Sequence, residues 1–215
     1  MTDFATARRM MVDGQVRTAD VTDLRILSAM QEVPRERFVP QASTALAYLD
    51  LDLPVGAGRC LLKPMVLGKL LEEAEIKETD RVLDAGCATG YAAAILSRLA
   101  ANVVALEQDA ALAQAAKSAL SGVANVSVVT GPIVDGWRHG GPYDVIVLEG
   151  ATEIAPRALC EQLADGGRLV CIQGRAPATK ATLYVRSGGD SGARPIFDAA
   201  APVLPGFAKP PAFAF

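Results

Sequence analysis

"RVLDAGCATGYAAAILSRLA", residues 81–100, changes character halfway along. Its first half, "RVLDAG", is a short apolar run ending in an acid and a glycine, which reads as a buried strand and its exit turn. Its second half, "TGYAAAILSRLA", is alanine-rich and long enough for a helix. A strand that turns through glycine into a helix is half of a βαβ unit, and the unit repeats downstream. "NVVALE" leads into "DAALAQAAKSALSG", a helix closed by Gly122, and "NVSVV" and "YDVIVLEG" follow as strands. "EIAPRALCEQLADGG" reads as a helix, with "RLVCIQG" and "ATLYVRSG" extended after it. The alternation predicts an α/β fold: a doubly wound, mostly parallel, Rossmann-like sheet with helices on both faces. "SGARPIFDAAAPVLPGFAKPPAFAF" has no helical period and is expected to form an edge strand and an ordered tail.

Upstream the rhythm differs. Residues 3–36 carry helical patterning, with Thr22 or Asp23 as the cap of a second helix and Pro34 as its interruption. The stretch from Phe38 to Pro64 is mixed, and "MVLGKLLEEAEIKETD" after it reads as a helix. The expected organisation is an N-terminal helical extension and substrate-side lip over 1–79, then a core with C-terminal edge strands and tail over 80–215. The two are expected to form a single compact domain, which 215 residues suit.

Composition excludes several classes. A net charge of −3 gives no reason to expect nucleic acid or an anionic membrane as partner. No run approaches the ~20 apolar residues of a membrane span. The arginines near the N-terminus are not followed by the apolar block of a secretory signal. Cys60, Cys87, Cys160 and Cys171 form no CxxC pair, and with the lone His139 they make no metal site. A reduced, cytoplasmic protein is expected.

In doubly wound sheets, ligands sit beyond the carboxyl ends of the strands near the switch point, which places "LDAGCATGY", residues 83–91, in the ligand position. A dinucleotide fingerprint would need glycine at 86, 88 and 91, but Ala88 and Tyr91 stand at two of these. The S-adenosylmethionine (SAM) pattern, acid-x-G-x-G-x-G, maps onto Asp84, Gly86, Ala88 and Gly90 with one glycine softened to alanine. The acid favours SAM, since a carboxylate repels phosphates yet can serve the SAM amino group. Glu107, about twenty residues past the first glycine, stands where an acid meets ribose hydroxyls. Each feature alone also fits a plain structural turn or a solvated acid. Together, within this alternation, they point to SAM.

Beyond the turn, "VPRERFVP", "AYLDLDLPVGAG", "DRVLDAGCATGYAAAILSRL", "PYDVIVLEGATEIAPRAL" and "QLADGGRLV" occur in order over about residues 10–187. In these segments the chain resembles the protein-L-isoaspartate O-methyltransferases. The resemblance implies a class I SAM-binding fold and methylation of the abnormal carboxylate left by asparagine deamidation or aspartate isomerisation. It implies a cofactor set of Asp84, Gly86, Cys87, Ala88, Gly90, Glu107, Gln108, Gly131, Pro132 and Ile133, and isoaspartyl proteins or peptides as partners.

The chain departs from the family pattern in three places. Where the family reads G-x-G-Q-T-I-S-x-P, this chain reads "GAGRCLLKP", so Cys60 takes the threonine position and Leu62 that of the serine beside the acceptor. Pro132 takes the position of an acid that contacts adenine, and Glu149 and Gly150 replace a small Ala-Ala pair. Leu62 and Lys63 are therefore the catalytic-side candidates, with the Lys63 ammonium a possible hold on an acceptor carboxylate or else a solvated charge. Cys60 reads as a small buried stand-in for threonine, His139 as a loop residue and Trp137 as sheet packing. Glu149 reads as a surface acid, with a site acid as the alternative. Other readings remain: a methyltransferase of the same fold for another acceptor, a non-catalytic adaptor that binds SAM or altered peptides, and, more distantly, a NAD-linked oxidoreductase.

Overall fold

A computed structural model describes residues 3–210. The chain begins with α1 (Phe4–Met11), whose free amides at Ala5 and Thr6 are capped by the Asp3 carboxylate. A π-helical turn over Val12–Val16 leads to α2 (Leu24–Glu32). Asp23 caps α2, and the helix stops two residues short of Pro34, whose ring disfavours helix before it. A small antiparallel hairpin follows, β1 (Leu53–Gly56) and β2 (Arg59–Leu61), and then α3 (Pro64–Glu73), which starts on Pro64 where a missing N–H costs nothing.

The α/β core runs β3 (Arg81–Ala85), α4 (Tyr91–Leu96), β4 (Asn102–Glu107), α5 (Ala110–Ala119) and β5 (Val126–Thr130). It continues through β6 (Tyr143–Thr152), α6 (Arg157–Cys160), β7 (Leu163–Arg175), β8 (Ala178–Ser187) and β9 (Asp190–Asp198). Sheet order is β5-β4-β3-β6-β7-β8-β9. The first five strands are parallel, and β8 and β9 close the sheet antiparallel. Chain direction across the sheet reverses between β3 and β6, so the switch point lies at the carboxyl end of β3.

The two faces of the sheet are packed differently. Val82, Val103, Val145, Val147 and Val170 face one core, shared with α2, α3, α4 and residues of the N-terminal extension. Their alternates Leu83, Leu106, Ile146, Leu148 and Leu169 face the other, as the period of two requires. That second face is covered by α6, short 3-10 turns and the tail, whose Leu204 and Phe207 are buried. The tail runs beside β6 through a bridge between Ala151 and Val203; the last residues of the expected tail, 211–215, lie outside the described residues.

The helix expected over "EIAPRALCEQLADGG" is reduced to the four residues of α6, and Leu163 already belongs to β7. Pro156 breaks the pattern at its start and paired glycines weaken its end. A Cβ on Gly167 would lie 3.0 Å from the Tyr143 carbonyl, so the chain is pressed flat against β6 there. β9 is mostly exposed and pairs with β8 across a register shift at Ala181/Thr182. Among the described residues, no helix is long and apolar enough to cross a membrane.

Candidate active site

The cofactor turn is folded by its own backbone. Gly86 and Cys87 donate their amides to the Leu106 carbonyl at 2.8 and 3.0 Å, tying the turn to the end of β4. Gly90 caps α4 at φ +93°, and a Cβ there would approach Leu120 Cδ1 to 2.8 Å, so both conformation and space demand glycine. Ala88 also takes a left-handed conformation, φ +49°, where the pattern has glycine. The Thr89 hydroxyl donates to the Phe38 carbonyl at 2.6 Å and fastens the turn to the N-terminal extension.

Two acids flank the turn with opposite surroundings. Glu107 accepts from the amides of Ala88 (2.8 Å), Gln108 (2.8 Å) and Asp109 (3.1 Å), so its charge is solvated by the backbone. Asp84, fully buried at the end of β3, has no hydrogen-bond partner on either carboxylate oxygen. Burial pushes the Asp84 carboxyl well above the usual range, and the neighbouring Glu149 pushes it further. Glu149 is itself raised by burial, and each carboxyl stands as an unneutralised neighbour of the other.

Glu149 is thus no surface acid: it is 2 % exposed. The β6–β7 ladder shifts register between Val147 and Ala151, and this bulge takes in Glu149. Gly150 within it runs at φ +159°, with Leu204 where a Cβ would stand. An acid closing the apolar run "DVIVLEGA" at the same sheet end as Asp84 was the available signal.

The lip is side-chain made. Leu62, at the family's serine position, is 1 % exposed and packs in the main core, and its carbonyl accepts from Arg35 Nη2 at 2.8 Å. Arg35 also donates to the Ala47 carbonyl and stacks on Tyr91, 4.6 Å from the ring centroid, so it pins the lip from beneath. Lys63 is half-buried at the start of α3, its amide held by Asp52 at 3.0 Å. Cys60 is buried, which pushes its thiol up to about 11, far from a nucleophilic thiolate at neutral pH.

The residue that sequence reasoning passed over is Arg59. Its Nε lies 3.3 Å from Glu107, and its Nη2 donates to the Gly86 carbonyl. It stands where the family pattern has glutamine, and a charged residue in so short a strand against the cofactor turn was the signal. After β5, the Gly131 amide donates to the Glu107 carbonyl at 3.1 Å, Pro132 is exposed and Ile133 is buried. Gln108 is exposed beside Glu107. Trp137 packs against the second core and meets the exposed His139 edge-on at 5.7 Å.

Five parallel strands closed by an antiparallel hairpin, with an acid–glycine turn after the first and an acid ending the next, define the class I SAM-dependent methyltransferase fold. Known proteins narrow this. The family model for protein-L-isoaspartate(D-aspartate) O-methyltransferase matches residues 7–191, and the chain belongs to that family. It is similar to the protein-L-isoaspartate O-methyltransferase of Koribacter versatilis, 40% identical over 188 residues, covering 86% of this chain and 84% of that one. It is also similar to protein-L-isoaspartate O-methyltransferase 1 of Rhodopseudomonas palustris, 41% identical over 171 residues, covering 79% and 70%. A solved protein-L-isoaspartate O-methyltransferase superposes with a TM-score of 0.79 at 24% identity, over 92% of this chain and 66% of that one. A Plasmodium falciparum structure, described as such an enzyme in complex with S-adenosyl-L-homocysteine, gives 0.79 at 16% identity, over 92% and 97%. These two likenesses show the fold.

Proposed function

We propose that this protein transfers a methyl group from SAM to the free carboxylate of L-isoaspartyl residues in damaged proteins or peptides. The observation that carries the reading is the partnerless Asp84 carboxylate, buried at the glycine turn that Glu107 also holds. An unpaired buried carboxylate is costly to keep, and a ligand ammonium would satisfy it. Asp84 would hold the SAM amino group and Glu107 the ribose hydroxyls, with Gly86–Gly90 supplying the close backbone and Ile133 an apolar flank. When bound, SAM supplies a methyl group on a positively charged sulfur, a good leaving group.

The acceptor needs little help from the protein. A carboxylate with a pKa of about 4 is already an anion at neutral pH, so no base is required. Positioning does most of the work. The lip performs it without the family's serine: Leu62 shapes the wall and Lys63, at the rim, offers a cation to the incoming carboxylate. Loss of one orienting hydrogen bond, about 1–3 kcal/mol, slows transfer without abolishing it. The partners are then isoaspartyl proteins in the cytoplasm, and the chain's acidity disfavours nucleic acid.

A second reading rests on Glu149. A buried acid where the family has a small residue suits a methyltransferase of the same fold with a cationic or proton-bearing acceptor. Transfer of labelled methyl from SAM to an isoaspartyl peptide, beside its normal aspartyl twin, separates the two. Labelling of the isoaspartyl peptide alone supports the first reading, and labelling of neither removes it.

A further inference from the structure

The acids of the cofactor turn are closed off from solvent, and Arg59 lies directly over them. Asp84, Cys87, Ala88 and Glu107 have no solvent exposure, and Arg59 itself is 5 % exposed. Its guanidinium bridges Glu107 and the Gly86 carbonyl, and a Cβ on Gly86 would lie 2.5 Å from Arg59 Nη2. A ligand using the Glu107 carboxylate and the Gly86 backbone needs the space and the partners that Arg59 holds. Accepting the cleft as a SAM site, we propose that Arg59 is an internal competitor for it: a gate on the β1–β2 hairpin that cofactor binding must displace.

The surroundings suit a movable gate. Glu107 keeps three backbone donors when Arg59 leaves, so it stays hydrogen-bonded. The hairpin turn takes positive φ at three successive residues, Gly56 (+111°), Ala57 (+51°) and Gly58 (+69°), and its ladder shifts register between Pro54 and Gly56. Only three residue pairs hold β1 to β2. Charge gives the device two stable positions. Asp84 and Glu149 lie near Glu107, and Arg59 is the cation paired with Glu107 in the closed state. SAM brings its own positive charge, so loading exchanges one cation for another. The open, unloaded site is the unfavourable one, with Glu107 short of its counter-charge.

Such a gate weakens apparent affinity by the fraction of molecules that are open. An open fraction of about 1–10 % weakens it roughly ten- to a hundredfold. Arg59→Gln, which installs the family's residue, removes the competitor and is expected to bind SAM and S-adenosyl-L-homocysteine at least tenfold more tightly in titration calorimetry.

Stopped-flow fluorescence provides a second measurement. The lone tryptophan, Trp137, reports on the site because its ring lies 3.5 Å from where a Gly131 Cβ would stand. In the native chain the observed rate should reach a plateau with ligand concentration, the opening rate of the gate, whereas Arg59→Gln should stay linear. Equal affinities with linear rates in both proteins overturn the gate and leave the SAM reading intact. Weaker binding by the variant overturns it too, and makes Arg59 a cofactor ligand. If neither protein binds either compound, the SAM reading fails and the gate with it. If the variant does not fold, the native rate curve decides: a plateau supports the gate, and a straight line overturns it.

Discussion

Between Asp84 and Gly90 the site is built mostly from backbone; between Gly56 and Lys63 it is built from side chains. The turn needs glycine where φ is positive and space is short, plus an acid on either side, and nearly all of that is present. At the lip, Arg59, Cys60 and Leu62 stand where the family pattern has glutamine, threonine and serine, and all three are buried, Arg59 against Glu107 and Leu62 in the core. Backbone geometry tolerates few residue types and so resists change. A wall of side chains can be rebuilt one residue at a time while the fold persists. On the proposed function, the difference between the two regions is therefore one between binding a cofactor, assigned to the turn, and presenting an acceptor, assigned to the altered lip.

Substitutions test that contrast, and the largest effect belongs to Glu107. Glu107→Ala should strand the buried Arg59 guanidinium and three amides, destabilising the fold by about 3–5 kcal/mol in urea unfolding. SAM affinity should also fall at least tenfold; native stability and affinity in the variant would show that the turn does not depend on this acid. Leu62→Ser comes next. It leaves a hole and an unpaired hydroxyl in the core, costing about 2–4 kcal/mol. Per folded molecule, isoaspartyl methylation should rise, and no gain would assign the lip to another acceptor.

Asp84→Asn is expected to work in the opposite direction on stability. Burial raises the folded-state pKa of Asp84 above the unfolded value of about 3.9. The unfolded state therefore releases this proton more readily, and the residue destabilises the fold as pH rises through that raised value. Asn at 84 should lift Tm by a few degrees at neutral pH and weaken SAM binding. The Tm gain should shrink as pH falls and vanish below the unfolded pKa. Calorimetry from acid to neutral pH checks this, and a lower neutral Tm would mean that the carboxylate has a stabilising partner. The smallest effect is Ala88→Gly. Relief of a left-handed alanine and the entropy cost of glycine nearly cancel, so stability should change by less than about 1 kcal/mol.

The parallel strands, the glycine turn after β3 and the acid that ends β4 were legible because period, glycine and a strand-ending acid are local signals. The cap of α2 was narrowed to Thr22 or Asp23 for the same reason, and it is Asp23. What stayed hidden depends on contacts far apart in sequence. Glu149 looked like a surface acid because nothing local announces the bulge beneath it or the Leu204 side chain packed on it. Arg59 pairs across 48 residues, and Arg35 reaches 27 residues to the Leu62 carbonyl. The short α6 was overestimated because "RALCEQL" has helical composition, while the pressure of Gly167 against β6 is tertiary.

The far edge of the sheet bears on how such a protein keeps company with its substrates. A chain that handles aged proteins meets partly unfolded polypeptide, whose extended backbone readily adds to any open strand. β9 offers a poor template. Pro195 lacks a donor, the register shift at Ala181/Thr182 twists the ladder, and charges stand along the edge at Asp190, Arg194 and Asp198. Lys180 engages Asp198 at 2.5 Å and Arg194 reaches Glu73 at 3.5 Å, holding those charges in place. Such an edge disfavours the strand-to-strand pairing by which extended, damaged chains add to a sheet.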